Sequence, residues 1–493
     1  MKKKPNMLLI VADQHRMDCL GAYGNQEIKT PHLDSLAKDG VVYENSFCVA
    51  PLCTPSRYSL MTGLYPHQHQ GYTNHSTISE GTATFPRLLK EQGYRTEAIG
   101  KMHLTPTYLD IGFEHMQLAE QNGEGRFEDD YHRYLRAHDL VDKMDLIDQV
   151  DEYRYQASDS YWDSMGTLES NLPEQHHSTS WIGEKALSSI SQWGAEEANF
   201  LMVSFIKPHH PFDPPEPWST MYDPKKLTIL PGWTEECLSR DLENDQGFFP
   251  HKKLTKDKLK KSMAYYYASI SHIDFYVGKI MECLKTQGLY EDTLIIYTSD
   301  HGEYLGFHHL LLKNNYMYDP LVKVPLIIKR PKEKHKGTRT EHLVSNIDLA
   351  PTLLGFGGGA PDVFMAGSDL LSEHHRSFSE RQFIFSEQGR GQQYMIRSRS
   401  HKLILDREES KCLFFDLEKD PLEFNNLYHD SNYQGLILQF KQALYTMILF
   451  DNAPPSHTNH QASVIRENNV PRSKKEKLEM ANWVRAKMRS EQY

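Results

Sequence analysis

A short segment, CTPSR at residues 53–57, places a thiol four residues before a guanidinium. A thiol can act as a nucleophile when nearby cations stabilise its anion. The arginine of a cysteine-phosphatase loop lies further along the chain, so the spacing does not fit that chemistry. Pro55-Ser56 is a natural helix start, and alone the segment is better explained as an inert thiol in a helix-capping turn. A catalytic interpretation of Cys53 therefore depends on other residues around the same centre.

Oxygen and nitrogen donors follow two segments that have the composition of buried strands. Asp13 and Gln14 come directly after an apolar run, and Asp300 and His301 follow a run rich in β-branched residues. An isolated aspartate in a loop is usually a turn or cap residue, but two such pairs after two strands favour a divalent metal site. Calcium prefers oxygen ligands, whereas imidazole suits manganese, iron or zinc, so these residues leave the metal open.

The elements that must position these groups alternate between strands and helices. Apolar runs at 7–12 and 200–206 and a β-rich run at 293–298 are typical of buried parallel strands. Helical patterns begin at Thr30-Pro31, with Thr30 as the expected N-cap, and cover about 258–286. This alternation predicts an α/β fold with a large doubly wound, mostly parallel sheet flanked by helices, in which ligands bind at the carboxyl ends of strands.

The carboxyl-terminal part has a different pattern. Short strand-like runs recur at hairpin spacing after a glycine-rich linker at 355–367, and a helical pattern follows at 436–450. We therefore predict a catalytic domain at 1–370 and a smaller α+β domain at 371–493, built on an antiparallel sheet and ending in a polar arm. An acidic, aromatic-rich segment at 106–174 is weakly periodic, and we expect an insertion over the site entrance.

Length and composition limit the function further. The 493 residues have a net charge of -11, and no apolar run approaches the roughly 20 residues that cross a bilayer. We therefore expect neither nucleic acid nor a membrane as partner. The six cysteines are scattered, which predicts neither a disulfide framework nor a zinc knot. The first apolar run is too short for a signal peptide, so we expect a cytoplasmic protein, or one whose export signal is not part of this sequence.

In the order and spacing of its motifs the chain resembles the formylglycine-dependent sulfatase family of the alkaline-phosphatase-like superfamily. Cys53 to Arg57 matches in full the C-x-P-S-R signal for conversion of the cysteine to formylglycine. The resemblance covers most of the sequence, and its other motifs are TPHLD at 30–34, GKMHL at 100–104, KPHHP at 207–211, TSDHGE at 298–303, Lys313, VPLII at 324–328 and FDLEKDP at 415–421. Each motif is weak alone, and their common order carries the resemblance.

The resemblance implies a single divalent ion, usually calcium in the family. Its ligands would be Asp13, Gln14, Asp300, His301 and the modified Cys53. Gln14 replaces a second aspartate of the commonest family pattern, and His301 replaces an asparagine, as in choline sulfatases and phosphonate monoester hydrolases. Calcium is therefore the first expectation, with manganese or another transition metal as the alternative.

The matched cations and histidines imply how an ester would be bound and cleaved. Lys101 and Lys313 would bind the sulfate oxygens, and Arg57 would hold the nucleophile near the metal. His103 would hydrogen-bond the formylglycine, and His209 would protonate the leaving oxygen. One hydroxyl of the hydrated formylglycine would attack sulfur, and the second would then expel sulfate, so no attacking water is needed.

The substrate is the least constrained part of this prediction. Asn74 and His210, the latter an adjacent rival of His209, would line a leaving-group pocket that suits the hydroxyls of a sugar. We expect a small sulfated saccharide as substrate, with choline sulfate or an aryl ester as alternatives, and a formylglycine-generating maturation enzyme as partner; a homo-oligomer is allowed. Two other functions stay open: phosphonate monoester or phosphodiester hydrolysis on the same fold, and binding of sulfated ligands without turnover if Cys53 stays a thiol.

Overall fold

The computed structural model describes residues 4–123, 125–194, 197–360, 365–372, 381–451 and 474–490. The strands of its large sheet are β1 (Asn6–Asp13), β2 (Val41–Phe47), β3 (Arg95–Gly100), β4 (His115–Leu118), β5 (Asn199–Pro208), β6 (Thr293–Ser299), β7 (Leu326–Lys329) and β8 (Thr338–Ser345). They lie in the order β4-β3-β5-β1-β6-β7-β2-β8. Only β7 runs antiparallel to its neighbours β6 and β2, which confirms the predicted mostly parallel sheet.

Helices connect these strands and cover both faces of the sheet. Their bounds are α1 (Pro31–Asp39), α2 (Cys53–Thr62), α3 (Pro66–His69), α4 (Phe85–Glu91), α5 (Asp130–Ala137), α6 (Lys143–Gln149), α7 (Asp151–Arg154), α8 (Asp159–Asp163), α9 (Ser178–Ser191), α10 (Ser239–Asn244), α11 (Lys256–Thr286), α12 (Asp319–Val322), α13 (Leu349–Phe356), α14 (Gln434–Thr446) and α15 (Lys474–Ser490). Within the described ranges, no helix is long and apolar enough to cross a membrane.

Strand β1 shows why the sheet has a helical layer on each side. Alternate side chains of a strand point to opposite faces. Met7 and Leu9 pack in one apolar cluster with α13, α4 and α2, whereas Leu8 and Ile10 pack in another with α1, α9 and α11. Because both faces are buried, the strand must be apolar throughout, and this is the continuous run that the sequence contains.

The start of α1 differs in one respect from the prediction. Thr30 is the N-cap residue, but its side chain makes no capping hydrogen bond. The Asp274 carboxylate of α11 accepts instead from the backbone N–H groups of His32 and Leu33, the latter at 2.7 Å. A residue distant in sequence therefore satisfies the free N–H groups of this helix end, and no local motif signals such a contact.

A second, antiparallel sheet follows in the carboxyl-terminal part, as predicted. Its strands are β9 (Ile384–Gln388), β10 (Gln393–Arg397), β11 (His401–Asp406) and β12 (Leu413–Asp416), in the order β12-β11-β10-β9. The expected polar arm lies partly outside the described residues, at 452–473. Where it is described again, α15 packs Met480 beside Arg136 of α5 and buries Val484 in a cluster with residues of α6 and α11.

Candidate active site

Four neighbouring strands end at one edge of the sheet and deliver polar residues to the same place. The order β3-β5-β1-β6 is parallel throughout. Asp13 ends β1, while Lys101, His209 and Asp300 directly follow β3, β5 and β6. The carboxyl ends of parallel strands share one edge, so residues almost 300 positions apart converge. Helix α2 begins at this edge with Cys53.

The Cys53 sulfur is the centre of this group. Its Sγ lies 3.1 Å from Lys313 Nζ, 3.2 Å from His301 Nε2 and 3.7 Å from Asp13 Oδ1. Burial raises the pKa of the thiol, but Lys313, Lys101 and His301 lower it well below its usual range. The position therefore stabilises an anion, which is the property that a nucleophile requires.

Arg57 connects the metal-ligand candidates to the sheet. Its Nε donates to Asp300 Oδ2 at 2.9 Å and its Nη2 to Asp13 Oδ2 at 3.0 Å. Its Nη1 donates to the carbonyl oxygen of Lys101 and to Ser204 Oγ. The guanidinium and both carboxylates are at most 1% exposed. Arg57 therefore fixes the two carboxylates rather than facing solvent.

Two lysines bring positive charge to the cluster. Lys101 Nζ lies 2.8 Å from Asp13 Oδ2 and donates to Gln121 Oε1 at 3.0 Å. Lys313 Nζ donates to Gln14 Oε1 at 2.9 Å as well as to the Cys53 sulfur. Burial raises the pKa of Asp13, but Lys101, His209 and Arg57 hold it well below its usual range, so this carboxylate is ionised. The cluster thus pairs the fixed Asp13 anion with fixed cations.

His103 is held in place by its backbone. The residue lies in the left-handed region at φ 54°, and its N–H donates to Glu120 Oε1 at 2.9 Å. Its carbonyl accepts from Thr54 Oγ1 at 2.9 Å, next to the cysteine. Burial lowers the pKa of the ring and the neighbouring Cys53 thiol partly opposes this, but neither ring nitrogen makes a well-aligned hydrogen bond among the described residues. A buried polar atom of this kind is costly unless a ligand or modified side chain completes it.

The residues at this edge fit a divalent cation. Ligand atoms of Asp13, Cys53, Asp300 and His301 lie within 4.8 Å of one another, and all four residues are buried; we call them the metal-site cluster. His301 Nδ1 donates to the Gly302 carbonyl at 2.9 Å, so Nε2, which faces the sulfur, is the nitrogen that would bind a metal once its proton is lost. Two carboxylates, one imidazole and the side chain at position 53 form a suitable set of ligands for such a cation.

The two adjacent histidines occupy different environments. His209 Nδ1 donates to the His210 carbonyl at 2.7 Å, and its Nε2 accepts from Lys313 Nζ at 2.9 Å. His210 Nδ1 instead hydrogen-bonds to Asp148 Oδ2. The two rings are stacked with centroids 4.3 Å apart. The Lys313 ammonium therefore lies between His209 and the Cys53 sulfur. His210 is instead held by a carboxylate from the 106–174 segment.

A cavity of about 510 Å³ adjoins this arrangement. Asn74, Asn122, Arg126 and Gln149 are among its lining residues. The remaining lining residues are His75, Gly123, Gly125, Phe127, Glu128, Val150 and Asp151. Asn74 Oδ1 accepts from the Thr54 N–H, which ties the cavity wall to the start of α2. The predicted insertion thus supplies most of the wall of a polar cavity beside the nucleophile.

Fold and site together define the class as a hydrolase of the alkaline-phosphatase-like superfamily. The chain belongs to the sulfatase family, because the protein-family model described as Sulfatase matches residues 5–359. A model described as N-sulphoglucosamine sulphohydrolase, C-terminal, matches residues 306–449. The protein is therefore a sulfatase-type hydrolase, and hydrolysis of sulfate esters is its reaction class.

Relatives and solved structures cover nearly the whole chain. An arylsulfatase of Clostridium perfringens is 30% identical over 90% of this chain and 94% of its own. An N-acetylglucosamine-6-O-sulfatase of Bacteroides thetaiotaomicron is 26% identical over 87% of this chain and 84% of its own. The crystal structure of phosphonate monoester hydrolase of Agrobacterium radiobacter matches with a TM-score of 0.73 and 25% identity, covering 90% of this chain and 95% of that chain.

Four residues of the site were not predicted from the sequence. Glu120 accepts from the His103 backbone and Gln121 from Lys101. Both follow the carboxyl end of β4, so the reasoning that selected Asp13 after β1 could have selected them as well. Glu303 accepts from the Gln14 side chain and lies within the TSDHGE motif. Asp148 carries no local signal, because its role depends on how the 106–174 segment folds back against His210.

Proposed function

We propose that the protein hydrolyses the sulfate monoester of a small hydroxyl-bearing molecule, with Cys53 converted to formylglycine and one divalent ion in the metal-site cluster. The observation that carries this proposal is the position of the Cys53 sulfur within 3.7 Å of Lys313 Nζ, His301 Nε2 and Asp13 Oδ1. When present, the ion would neutralise sulfate oxygens and the hydrated formylglycine would supply the attacking hydroxyl.

The chain's own residues account for binding and orientation. The Lys101 and Lys313 ammonium groups face the position of the nucleophile and would bind the non-bridging sulfate oxygens as charge develops on them. Arg57 holds Asp13 and Asp300 in fixed orientations, which preorganises the cluster before substrate arrives. The buried His103 ring neighbours Cys53 and would move a proton at position 53 during release of sulfate.

We propose calcium or manganese as the metal. The imidazole of His301 within the metal-site cluster favours manganese or another transition metal, whereas the family resemblance favours calcium. The Gln14 amide oxygen already accepts a hydrogen bond from Lys313, and this oxygen would be an additional hard ligand if the lysine turned to sulfate.

A small sulfated saccharide is the proposed substrate. The cavity beside the site is lined mainly by amide, charged and imidazole side chains. Arg126 in its wall is 4% exposed and pairs with Asp145, while its Nε and Nη1 have no partner among the residues described. Such donors suit hydroxyl or acidic groups of a sugar. The relative named N-acetylglucosamine-6-O-sulfatase supports the same substrate class.

Phosphonate monoester hydrolysis is the second candidate. The structure of the Agrobacterium radiobacter phosphonate monoester hydrolase covers 90% of this chain, and a multifunctional alkaline phosphatase superfamily protein of Trinickia caryophylli is 28% identical over 89% of it. Both chemistries need cations around a tetrahedral oxyanion, so the cluster by itself serves either ester.

One experiment separates these proposals. The full chain is coexpressed with a formylglycine-generating enzyme, and mass spectrometry of the peptide bearing Cys53 measures conversion to the aldehyde. Release of product is then measured on sulfated sugars, choline sulfate, aryl sulfates and aryl phosphonates, with calcium or manganese added after chelation. We expect sulfate release to exceed phosphonate cleavage and to require the aldehyde. Faster turnover of phosphonates would replace the first candidate by the second, and binding without turnover by the modified chain would refute both.

A further inference from the structure

A buried arginine in the wall of the 510 Å³ cavity has hydrogen-bond donors to spare. Arg126 lines this cavity and is 4% exposed. Its Nη2 donates to Asp145 Oδ2, but within the described part of the chain its Nε and Nη1 have no hydrogen-bond partner. A buried donor without an acceptor is costly, so these two groups indicate a ligand that supplies acceptor atoms.

The guanidinium is connected to the sulfate-binding side of the site. Asp145 Oδ1 accepts from Gln121 Nε2 at 2.6 Å, and Gln121 Oε1 accepts from Lys101 Nζ at 3.0 Å. An unbroken chain of hydrogen bonds therefore joins Lys101, one of the two lysines proposed to bind sulfate, to Arg126. This chain holds the guanidinium at a fixed offset from the position of the sulfate.

Two further contacts place the cavity beside the reacting centre. Asn74 Oδ1 accepts from the N–H of Thr54, directly after Cys53, at 3.1 Å. Gly123 lies against the His103 ring, because a Cβ built on this glycine would lie 3.9 Å from the ring atom Cδ2. Both Asn74 and Gly123 line the cavity. An ester whose sulfate is bound at Cys53 would therefore extend its leaving group into this cavity.

The same wall contains an acceptor whose orientation is fixed by its neighbours. Gln149 Nε2 donates to the Asp148 carboxylate and to the His210 carbonyl at 3.3 Å. Gln149 Oε1 must then be the atom that accepts from Asn122 Nδ2 at 2.8 Å. Asn122 Oδ1 is left buried, with no partner in the described structure. The cavity wall therefore contains unpaired donors of Arg126 and an unpaired acceptor of Asn122.

The charges around the cavity favour an anion at its buried end. The acidic lining residues are less buried than Arg126: Glu128 is half-buried and Asp151 is exposed. Asp151 is also paired with Arg154 Nη1 at 2.9 Å. Carboxylate and sulfate oxygens form charge-assisted hydrogen bonds with a guanidinium, which are stronger than those of a hydroxyl. An anionic group also has enough acceptor sites for both remaining donors.

We propose that the leaving alcohol of the substrate carries a second acidic group, a carboxylate or a further sulfate, and that Arg126 is the specificity-determining residue that binds it. The Asn122 amide oxygen accepts from a hydroxyl of the same molecule, so the preferred substrate is an acidic sugar. This inference deepens the proposed sulfate ester hydrolysis and rests on it. Lys101 and Lys313 bind the sulfate that is cleaved, whereas Arg126 binds the acidic group that is retained.

Substrate pairs that differ in one charge test this proposal. The first pair is methyl glucuronide sulfated at O2 or O3 and its carboxamide, and the second is glucose 3,6-disulfate and glucose 6-sulfate. With the full-length, formylglycine-containing wild type, kcat/KM should be about 10- to 100-fold higher for the acidic member of at least one pair. The pair that shows this preference identifies the acidic group as carboxylate or sulfate.

Two variants show whether Arg126 is responsible. Arg126→Gln combined with Asp145→Asn removes the cation together with its partner, so that neither charge is left buried alone. In this double variant the acidic and uncharged members should be cleaved with equal kcat/KM. Asp145→Asn alone is the matched control, because it retains the guanidinium and should retain the preference. Thermal unfolding and mass spectrometry of the peptide bearing Cys53 show that both variants are folded and modified.

Two results would overturn the proposal. One is a wild type with equal kcat/KM within both pairs, which needs no variant, and the other is a preference that survives in the double variant. If the wild type cleaves phosphonates but no sulfate ester, the proposed function fails. In that case, or if only aryl sulfates are cleaved, calorimetry with methyl glucuronide decides separately: wild type should bind it about 10-fold more tightly than the double variant does, and equal affinities would refute the role of Arg126.

Discussion

Replacement of Arg57 by methionine tests whether the site depends on one buried guanidinium. Arg57 makes hydrogen bonds of 2.9 Å to Asp300, 3.0 Å to Asp13, 2.6 Å to the Lys101 carbonyl and 2.8 Å to Ser204. Methionine retains most of the apolar volume but none of these contacts. Two fully buried carboxylates would then lie beside one another without the cation that joins them.

The expected loss in the free energy of unfolding is about 3–5 kcal/mol, because Asp300 loses its buried cationic partner while Asp13 keeps Lys101. Equilibrium unfolding in urea at pH 7, with chelator present in every sample, measures this difference. Arg87→Met is the matched control, since Arg87 approaches Asp110 at 3.5 Å with side chains 37% and 35% exposed. An exposed pair of this kind contributes less than about 1 kcal/mol.

A small effect of the substitution would contradict this reasoning. If Arg57→Met is destabilised by no more than Arg87→Met, the two carboxylates do not depend on the guanidinium for their charge balance. The arrangement around Cys53 would then be set by strand geometry alone, and Arg57 would have to be assigned a role in substrate binding instead.

Three shorter predictions concern the nucleophile, the metal and one buried carboxylate. Cys53→Ala should lower kcat on any cleaved ester by at least about 10⁴-fold with substrate still bound in calorimetry; retained turnover would rule out Cys53 as nucleophile. A divalent ion at 100 times its Kd should raise the unfolding free energy of the wild type by about 2.7 kcal/mol, and this gain should vanish in Asp300→Asn if the metal-site cluster binds it. Burial raises the pKa of Asp148 but His210 and Tyr161 lower it to about 2, from an ordinary 3.8, so its charge stabilises the fold by about 2 kcal/mol above pH 4 and this contribution disappears as the pH falls to about 2. The difference in stability between wild type and Asp148→Asn should therefore shrink over that range in acid, and a difference independent of pH would show that the charge plays no part.

Much of the fold could be predicted because the signals are local. The buried strand at 7–12 is apolar on both faces, since each face packs on a helical layer. The long helix predicted at 258–286 is α11, Lys256–Thr286. The four short runs of the carboxyl-terminal part form one antiparallel sheet. In each case the pattern of apolar residues in the sequence reflects which faces of the element are buried.

Contacts between distant segments were the part that could not be predicted. The N–H groups at the start of α1 are satisfied by Asp274, about 240 residues away, and His210 is oriented by Asp148, 62 residues earlier. Neither aspartate belongs to a motif, because each needs only a carboxylate that reaches the right place. Alternation and spacing therefore predict an element's type, whereas charge pairing between elements requires the three-dimensional structure.

Lys313 shows how the two kinds of information combine. It follows β6 by 14 positions and lies in an irregular loop, so strand-end geometry does not place it, and only the resemblance singles it out. In the structure the buried Glu303 carboxylate accepts from the backbone N–H groups of Leu305 and Leu312 and from the Gln14 side chain. That one carboxylate closes the loop directly before Lys313 and fixes the amide whose oxygen the lysine contacts. The ammonium at the cysteine is thus positioned by a residue that never touches it.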